Sequence, residues 1–268
     1  LWKKLKNKQF DALLNMQTAF RASILSLGIK AKFKIGFGEK RSREGQWLFV
    51  NRRITDPSSP HVLDGFMAFA EYIGVPKSEP KWELAISEDD YKFADQFIDF
   101  SRKNLLISPC SSKAEKDWLI ERYAEVANIA HQNNINVIFC SSPAKRELEI
   151  VEKITALSDY EIRLPWGNEQ EKARAERLAQ VDSKVIVLPK LTLTELAKQL
   201  ANAKAVVSVD TGLAHLTAAL DKPNITLYGA TDPKLIGCYG KNQHYLSASS
   251  MTEISAEQVF SQFLPFIS

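Results

Sequence analysis

The chain has 268 residues, enough for one large or two small domains, with 45% hydrophobic and 25% charged residues and a formal net charge of +3, which excludes a disordered or fibrous segment. No apolar run approaches the roughly 18 residues that a bilayer-spanning helix needs, and Leu1-Trp-Lys-Lys-Leu-Lys6 lacks the apolar core and cleavage site of a signal peptide. Three scattered cysteines, Cys110, Cys140 and Cys238, have no metal-site spacing and no even disulfide framework, so they read as small buried side chains in a reducing compartment.

Charge is uneven along the chain. Within the first 53 residues, Lys or Arg stands at 3, 4, 6, 8, 21, 30, 32, 34, 40, 41, 43, 52 and 53, against Asp11, Glu39 and Glu44. Such a region attracts phosphates and carboxylates. No nucleic-acid motif accompanies it, so no nucleic-acid partner is expected. Phe10–Asn15 predicts a strand, and Phe20, Ile24 and Leu27 fall at helical spacing within Gln17–Leu27. Lys34–Phe49 is basic and punctuated by glycine, as a binding loop would be. Asp56-Pro-Ser-Ser-Pro60 breaks the chain before a helix at 61–73, the stretch 74–90 reads as a linker, and a helix is expected at 88–100.

From Asn104 the pattern alternates. Strands are expected at 104–112, 136–140, 161–164, 184–188 and 205–209, with helices at 116–132, from about 144, at 169–180, at 192–203 and from 213. Thr192 followed by Glu195 is a capping-box signature. This alternation implies an α/β fold with a parallel sheet covered on both faces and a ligand site outside the carboxyl ends of its strands. Asp210-Thr211-Gly212 joins a strand to a helix N-terminus, where free N–H groups and the positive dipole end seat a phosphate. Gly212 permits close approach, Thr211 offers a hydroxyl, and His215 lies in the first helical turn; the alternative is that Asp210 caps the helix and His215 packs. Ser111, Ser112 and Lys116 likewise follow a strand end, with helix capping and an exposed lysine as the plainer alternative.

Several motifs fall in order: Ile162-Arg-Leu-Pro-Trp-Gly-Asn-Glu-Gln-Glu171, Val187-Leu-Pro-Lys190, Ser208-Val-Asp-Thr-Gly-Leu-Ala-His-Leu216, Tyr228-Gly-Ala-Thr-Asp-Pro233 and Tyr239-Gly-Lys-Asn-Gln243. Together they resemble the ADP-heptose:lipopolysaccharide heptosyltransferases of glycosyltransferase family nine, in the heptosyltransferase I branch. Asn15-Met-Gln17 with Arg21, then Arg41–Phe49 and Ile107–Trp118, resemble another branch of the same family.

The resemblance implies a GT-B fold of two Rossmann-like doubly wound domains, the first incomplete: residues 1–90 a partial acceptor-side domain, 91–252 a nucleotide-sugar-binding domain and 253–268 a C-terminal helix. It implies transfer of L-glycero-D-manno-heptose from ADP-heptose to Kdo of the lipopolysaccharide inner core, by a cytoplasmic protein peripheral at the inner membrane. On the donor side it places Ser111, Ser112, Lys116, Thr211 and Gly212 at the diphosphate, Glu171 at the ribose, and Asp210 and His215 near the sugar. Arg21 and Arg43 would meet the acceptor's carboxylate or phosphates, with Lys40, Arg41 and Arg52 in support. Neither a cofactor nor a metal is implied, and no Asp-X-Asp pair or His/Cys cluster marks one. The family's catalytic aspartate belongs to an early strand–turn–helix with no counterpart here, which leaves Glu39, Glu44 and Asp64 as substitute bases and slow transfer as the expectation. A non-catalytic nucleotide-sugar or lipopolysaccharide-binding module is a second reading, and a transferase for another nucleotide sugar a third.

One unit occurs twice. Cys140-Ser-Ser-Pro-Ala-Lys-Arg-Glu147 and Leu164-Pro-Trp-Gly-Asn-Glu-Gln-Glu171 both follow a strand and both place a glutamate early in a helix, whereas the family carries this unit once. A join between two homologous genes would explain it; two ordinary βα units of chance similarity are the alternative. Glu171 is the expected cleft residue, and the other copy is expected as an edge strand, an extra layer or an insert.

Overall fold

Residues 1–80 fold around a small parallel sheet. The computed structural model describes residues 1–84, 87–89, 92, 103–111, 113–141, 145–157, 161–229 and 231–266. It divides into two units, Leu1–Pro80 with Lys234–Ile236, and Lys81–Pro233 with Gly237–Ser268. The first unit runs α1 (Trp2–Leu5), β1 (Gln9–Leu14), α2 (Phe20–Leu27), β2 (Lys30–Gly36), β3 (Arg52–Arg53) and α3 (Val62–Tyr72), with sheet order β1-β2-β3. Ile35, Phe37, Ile54 and Phe69 form its core, with the Phe37 ring edge-on to Phe69 at 4.9 Å.

Polar staples supplement that small core. The fully buried Gln46 donates from Nε2 to Asn15 O (2.9 Å) and Gln17 O (3.1 Å), and accepts from Phe37 N (3.0 Å). The segment Lys34–Phe49, expected as a loop throughout, gives its first three residues to β2, and the remainder, Phe37–Phe49, is thereby pinned to the sheet. The helix expected from the spacing of Phe20, Ile24 and Leu27 is present as α2, where all three are exposed and the buried residues are Ser23 and Ser26. Small side chains let the helix lie close to its neighbours, and Lys34 Nζ reaches Ser26 O at 2.7 Å.

The second unit continues with β4 (Asn104–Ser108), α4 (Ile120–Gln132), β5 (Asn136–Cys140), α5 (Lys145–Leu157), β6 (Glu161–Leu164), α6 (Glu169–Val181), β7 (Val185–Val187), α7 (Leu193–Asn202), β8 (Ala205–Val209), α8 (Gly212–Ala219), β9 (Asn224–Tyr228), α9 (Pro233–Ile236, mostly assigned to the first unit), β10 (Gln243–Ser247) and α10 (Ala256–Phe263). All seven strands pair in parallel, in the order β10-β9-β8-β4-β5-β6-β7. Residues of one strand face alternate with those of the other. Leu105, Ile107, Val137, Phe139, Ile162 and Leu164 pack against α4, α5, α6 and α10, while Leu106, Cys140 and Val206 pack against α7 and α8. The closing helix α10 therefore belongs to this core rather than standing apart from it. The capping box at Thr192 and Glu195 is present.

One expected helix boundary needs correction, and one strand went unforeseen. The helix expected from 116 starts at Ile120; Ala114–Lys116 is a 3-10 turn and Asp117–Leu119 is extended, because Asp117 and Trp118 are held by tertiary hydrogen bonds. The strand β10 was not foreseen, since its mixed, half-exposed Gln-His-Tyr-Leu-Ser sequence lacks the signature of a buried strand. The helix expected at 88–100 falls almost wholly outside the described residues. A further expectation fails in the repeated unit. Both copies are interior: β5 pairs with β4 and β6, and β6 pairs with β5 and β7, with Phe139 opposite Ile162 and Cys140 opposite Arg163. Neither is an edge strand, an extra layer or an insert.

An interior β6 carries full packing weight. Ile162 is completely buried, so Ile162→Ala should lower unfolding free energy by about 2–5 kcal/mol in urea titrations. A loss under ~1 kcal/mol would mean that β6 adds little to the core.

Candidate functional site

In the sheet, β4 and β8 are neighbours, but the chain leaves β4 toward β5 on one side and β8 toward β9 on the other. Such a switch point opens a crevice at the carboxyl ends of the two strands. The loop after β4 brings Lys116 to it, and the turn after β8 brings Asp210. Lys116 Nζ lies 2.6 Å from Asp210 Oδ2, with side-chain exposures of 17% and 6%. Thr231 Oγ1 donates to the same carboxylate oxygen at 3.0 Å, and His215 Nε2 stands 4.0 Å from Oδ1. On its other side, His215 Nδ1 is 3.9 Å from Cys238 Sγ.

Asp210 is therefore not the helix cap. Thr211 is: its Oγ1 accepts from Ala214 N at 3.4 Å. The N–H groups of Gly212 and Leu213, at the start of α8, have no acceptor within the helix. A Cβ built on Gly212 meets nothing within 4 Å, so the space above this turn is open. An ammonium group has three donors, and Asp210 takes one from Lys116. The arrangement thus offers an anion the remaining donors of Lys116 and the positive end of α8.

The other residues singled out in the sequence are placed less uniformly. Ser111 is buried beside the crevice loop, yet its hydroxyl donates to Lys113 O (2.7 Å) and accepts from Lys113 N (3.1 Å), so it shapes the loop. Ser112 lies outside the described residues. Glu171, in the first turn of α6, accepts from Gly167 N at 2.9 Å; the strand before it, β6, is separated from β8 by β4 and β5. Glu147, one strand nearer, accepts from Ser141 Oγ at 3.4 Å. In the first unit Arg21 is exposed on α2, and Arg43 Nη1 donates to Lys40 O (2.9 Å) and Ser42 O (3.1 Å). Arg41 spends its guanidinium on His61 O and Ser59 O. Of the substitute bases, Glu44 accepts from Phe20 N at 2.5 Å at the start of α2, Glu39 is exposed, and Asp64 lies in the first turn of α3.

Sequence reasoning missed Thr231, although it lies in a quoted motif, and it missed Asp117 and Arg146. Asp117 Oδ1 accepts from Ser111 N (3.3 Å), Arg146 Nη1 binds Asp117 Oδ2, and Arg146 Nη2 binds Ser111 O. Burial pushes the Asp117 carboxyl above its ordinary value, and the hydrogen bond from Ser111 N and the charge of Arg146 offset this only in part. Burial also pushes the Cys110 and Cys140 thiols up to about 12, consistent with small packed side chains rather than nucleophiles.

The model of glycosyltransferase family 9 (heptosyltransferase) matches residues 1–160 and 157–262. The chain belongs to this family. The two matched segments meet between α5 and β6, at the boundary of the two βα copies. Among curated relatives, the lipopolysaccharide core heptosyltransferase OpsX of Haemophilus influenzae is 67% identical over 92% of this chain and 65% of its own length. The chain thus spans about two thirds of that relative. The structure of the E. coli heptosyltransferase WaaC with ADP covers the whole chain and is covered to 76%, at 31% identity and a TM-score of 0.67. The same enzyme with ADP-2-deoxy-2-fluoro heptose gives 30% identity, a TM-score of 0.64, and coverage of 100% and 75%. These GT-B relatives share the fold of this family member.

A raised folded pKa gives stability that is present below the unfolded value and lost as pH rises through the folded one. Wild type should therefore lose stability relative to Asp117→Asn as pH rises above about 4, the ordinary carboxylate value. Paired urea titrations across that range check this; a relative gain would mean that Arg146 outweighs burial.

Proposed function

We propose that this family member carries the donor site of a heptosyltransferase, with ADP-heptose as the nucleotide sugar and Kdo of the lipopolysaccharide inner core as the acceptor. The observation that carries the reading is Lys116 converging with the first turn of α8 at the switch point. The full-chain likeness to an enzyme solved with ADP and with an ADP-heptose analogue supports it. In this reading the diphosphate sits against Lys116 Nζ and the N–H groups of Gly212 and Leu213. As the sugar–phosphate bond breaks, the departing oxygen gains negative charge, and preset donors stabilise it. Asp210, oriented by Lys116 and Thr231, accepts a hydrogen bond from a heptose hydroxyl, and His215 lines the same mouth. Ser112 adds a hydroxyl donor at the diphosphate. A ribose hydroxyl is taken by one of the paired glutamates, Glu171 or Glu147.

Arg21 and Arg43 are proposed to meet the Kdo carboxylate or the lipid A phosphates. The basic first 53 residues would favour an anionic membrane surface, with the protein peripheral on its cytoplasmic side. No described helix is long and apolar enough to cross a membrane.

Calorimetry with ADP tests the donor site. Lys116→Ala should weaken binding by about 1.5–3 kcal/mol, the range for a charged hydrogen bond. Gly212→Ala should fold normally, because its Cβ meets open space, yet bind ADP more weakly. Unchanged affinity in both variants would refute the phosphate site. Tight ADP binding with no heptose transfer to a Kdo-bearing acceptor would instead favour a binding module.

A further inference from the structure

We propose that Arg146, in the first turn of α5, is a positioning residue that holds the Lys116 loop, so that the phosphate site is coupled to the first βα copy and not to the second. This rests on the reading of Lys116 as a phosphate ligand. The guanidinium bridges two points of the loop after β4: Nη1 binds the Asp117 carboxylate and Nη2 binds the Ser111 carbonyl. The Ser111 N–H closes the ring by donating to Asp117 Oδ1. Asp117 directly follows Lys116, so this ring fixes the backbone from which the ammonium reaches Asp210. A planar guanidinium holds two acceptors in one fixed fork, whereas the three donors of an ammonium rotate on a flexible stem.

The burial of Asp117 makes the clamp matter. Its side chain is 14% exposed, and the Arg146 charge beside it offsets the cost of keeping a carboxylate there. The second copy has no such device. Glu171 corresponds to Glu147, so the neutral Gln170 corresponds to Arg146, and β6 does not pair with β4. Only the first copy has both a neighbouring strand and a cation with which to grip the loop.

Two measurements on residues 1–268 decide it. Without ligand, Arg146→Met should raise amide exchange across 110–117 by about tenfold, with Gln170→Ala unchanged. With ligand, Arg146→Met should weaken ADP binding about tenfold while adenosine, which lacks the phosphates, changes less than about twofold. Arg146→Lys should restore part of the loss, and it serves as the test variant should Arg146→Met not fold. Equal weakening of ADP and adenosine would reduce Arg146 to general stability, and unchanged exchange at 110–117 would overturn the clamp. If wild type binds no ADP, the donor reading fails, and the exchange measurement still decides whether Arg146 holds the loop.

Discussion

The contact between Lys116 and Asp210 is the constraint around which the C-terminal unit is organised. It joins residues 94 positions apart, and it exists because β4 and β8 lie side by side while their loops depart in opposite directions. Both side chains are largely withdrawn from water, so losing either would strand the other's charge. Loop geometry and loop stability are therefore one property. Thr231 adds a third anchor from beyond β9, and Trp118, whose indole donates to Ile254 O, fixes the far end of the crevice loop.

The two units are held by different means. The second buries an extended apolar sheet between two layers of helices. The first has four core residues and depends on side chains that bond to backbone: Gln46 under the basic loop, and Arg41 against the approach to α3. Its surplus of basic residues is thus partly structural. Arg43 satisfies carbonyl groups of its own loop and Arg41 those of Ser59 and His61 before α3, whereas Arg21 is exposed on α2.

Most of the architecture was legible because strand–helix alternation is a local signal. Ala205–Val209 and Asn104–Ser108 are runs that only a buried parallel strand explains, and Thr192 with Glu195 announced its own helix. The candidate site was legible only at strand ends. Asp210 could be read as a cap or as a ligand residue, and the sequence had no means of choosing, because the deciding partner comes from another loop. Lys116 was read as the first residue of a helix at 116–132; the hydrogen bonds of Asp117 and Trp118, both to distant groups, overrode that reading. On α2 the apolar spacing was real but faced outward, for burial is set by what a helix lies against rather than by its own periodicity.

The repeated βα unit changes distances as well as strand count. Neighbouring strands are about 4.8 Å apart, and hydrogen bonds tolerate only a few tenths of an ångström. With one interposed strand, β7 and the Lys190 that follows it lie a full strand farther from β8 than in a sheet with a single copy. On the proposed donor reading, a rigid ligand anchored at Asp210 would run out of length one strand early. On that reading, the residues after β5 and β6 would decide what the far side of the crevice recognises, and the loop after β7 would be free to diverge.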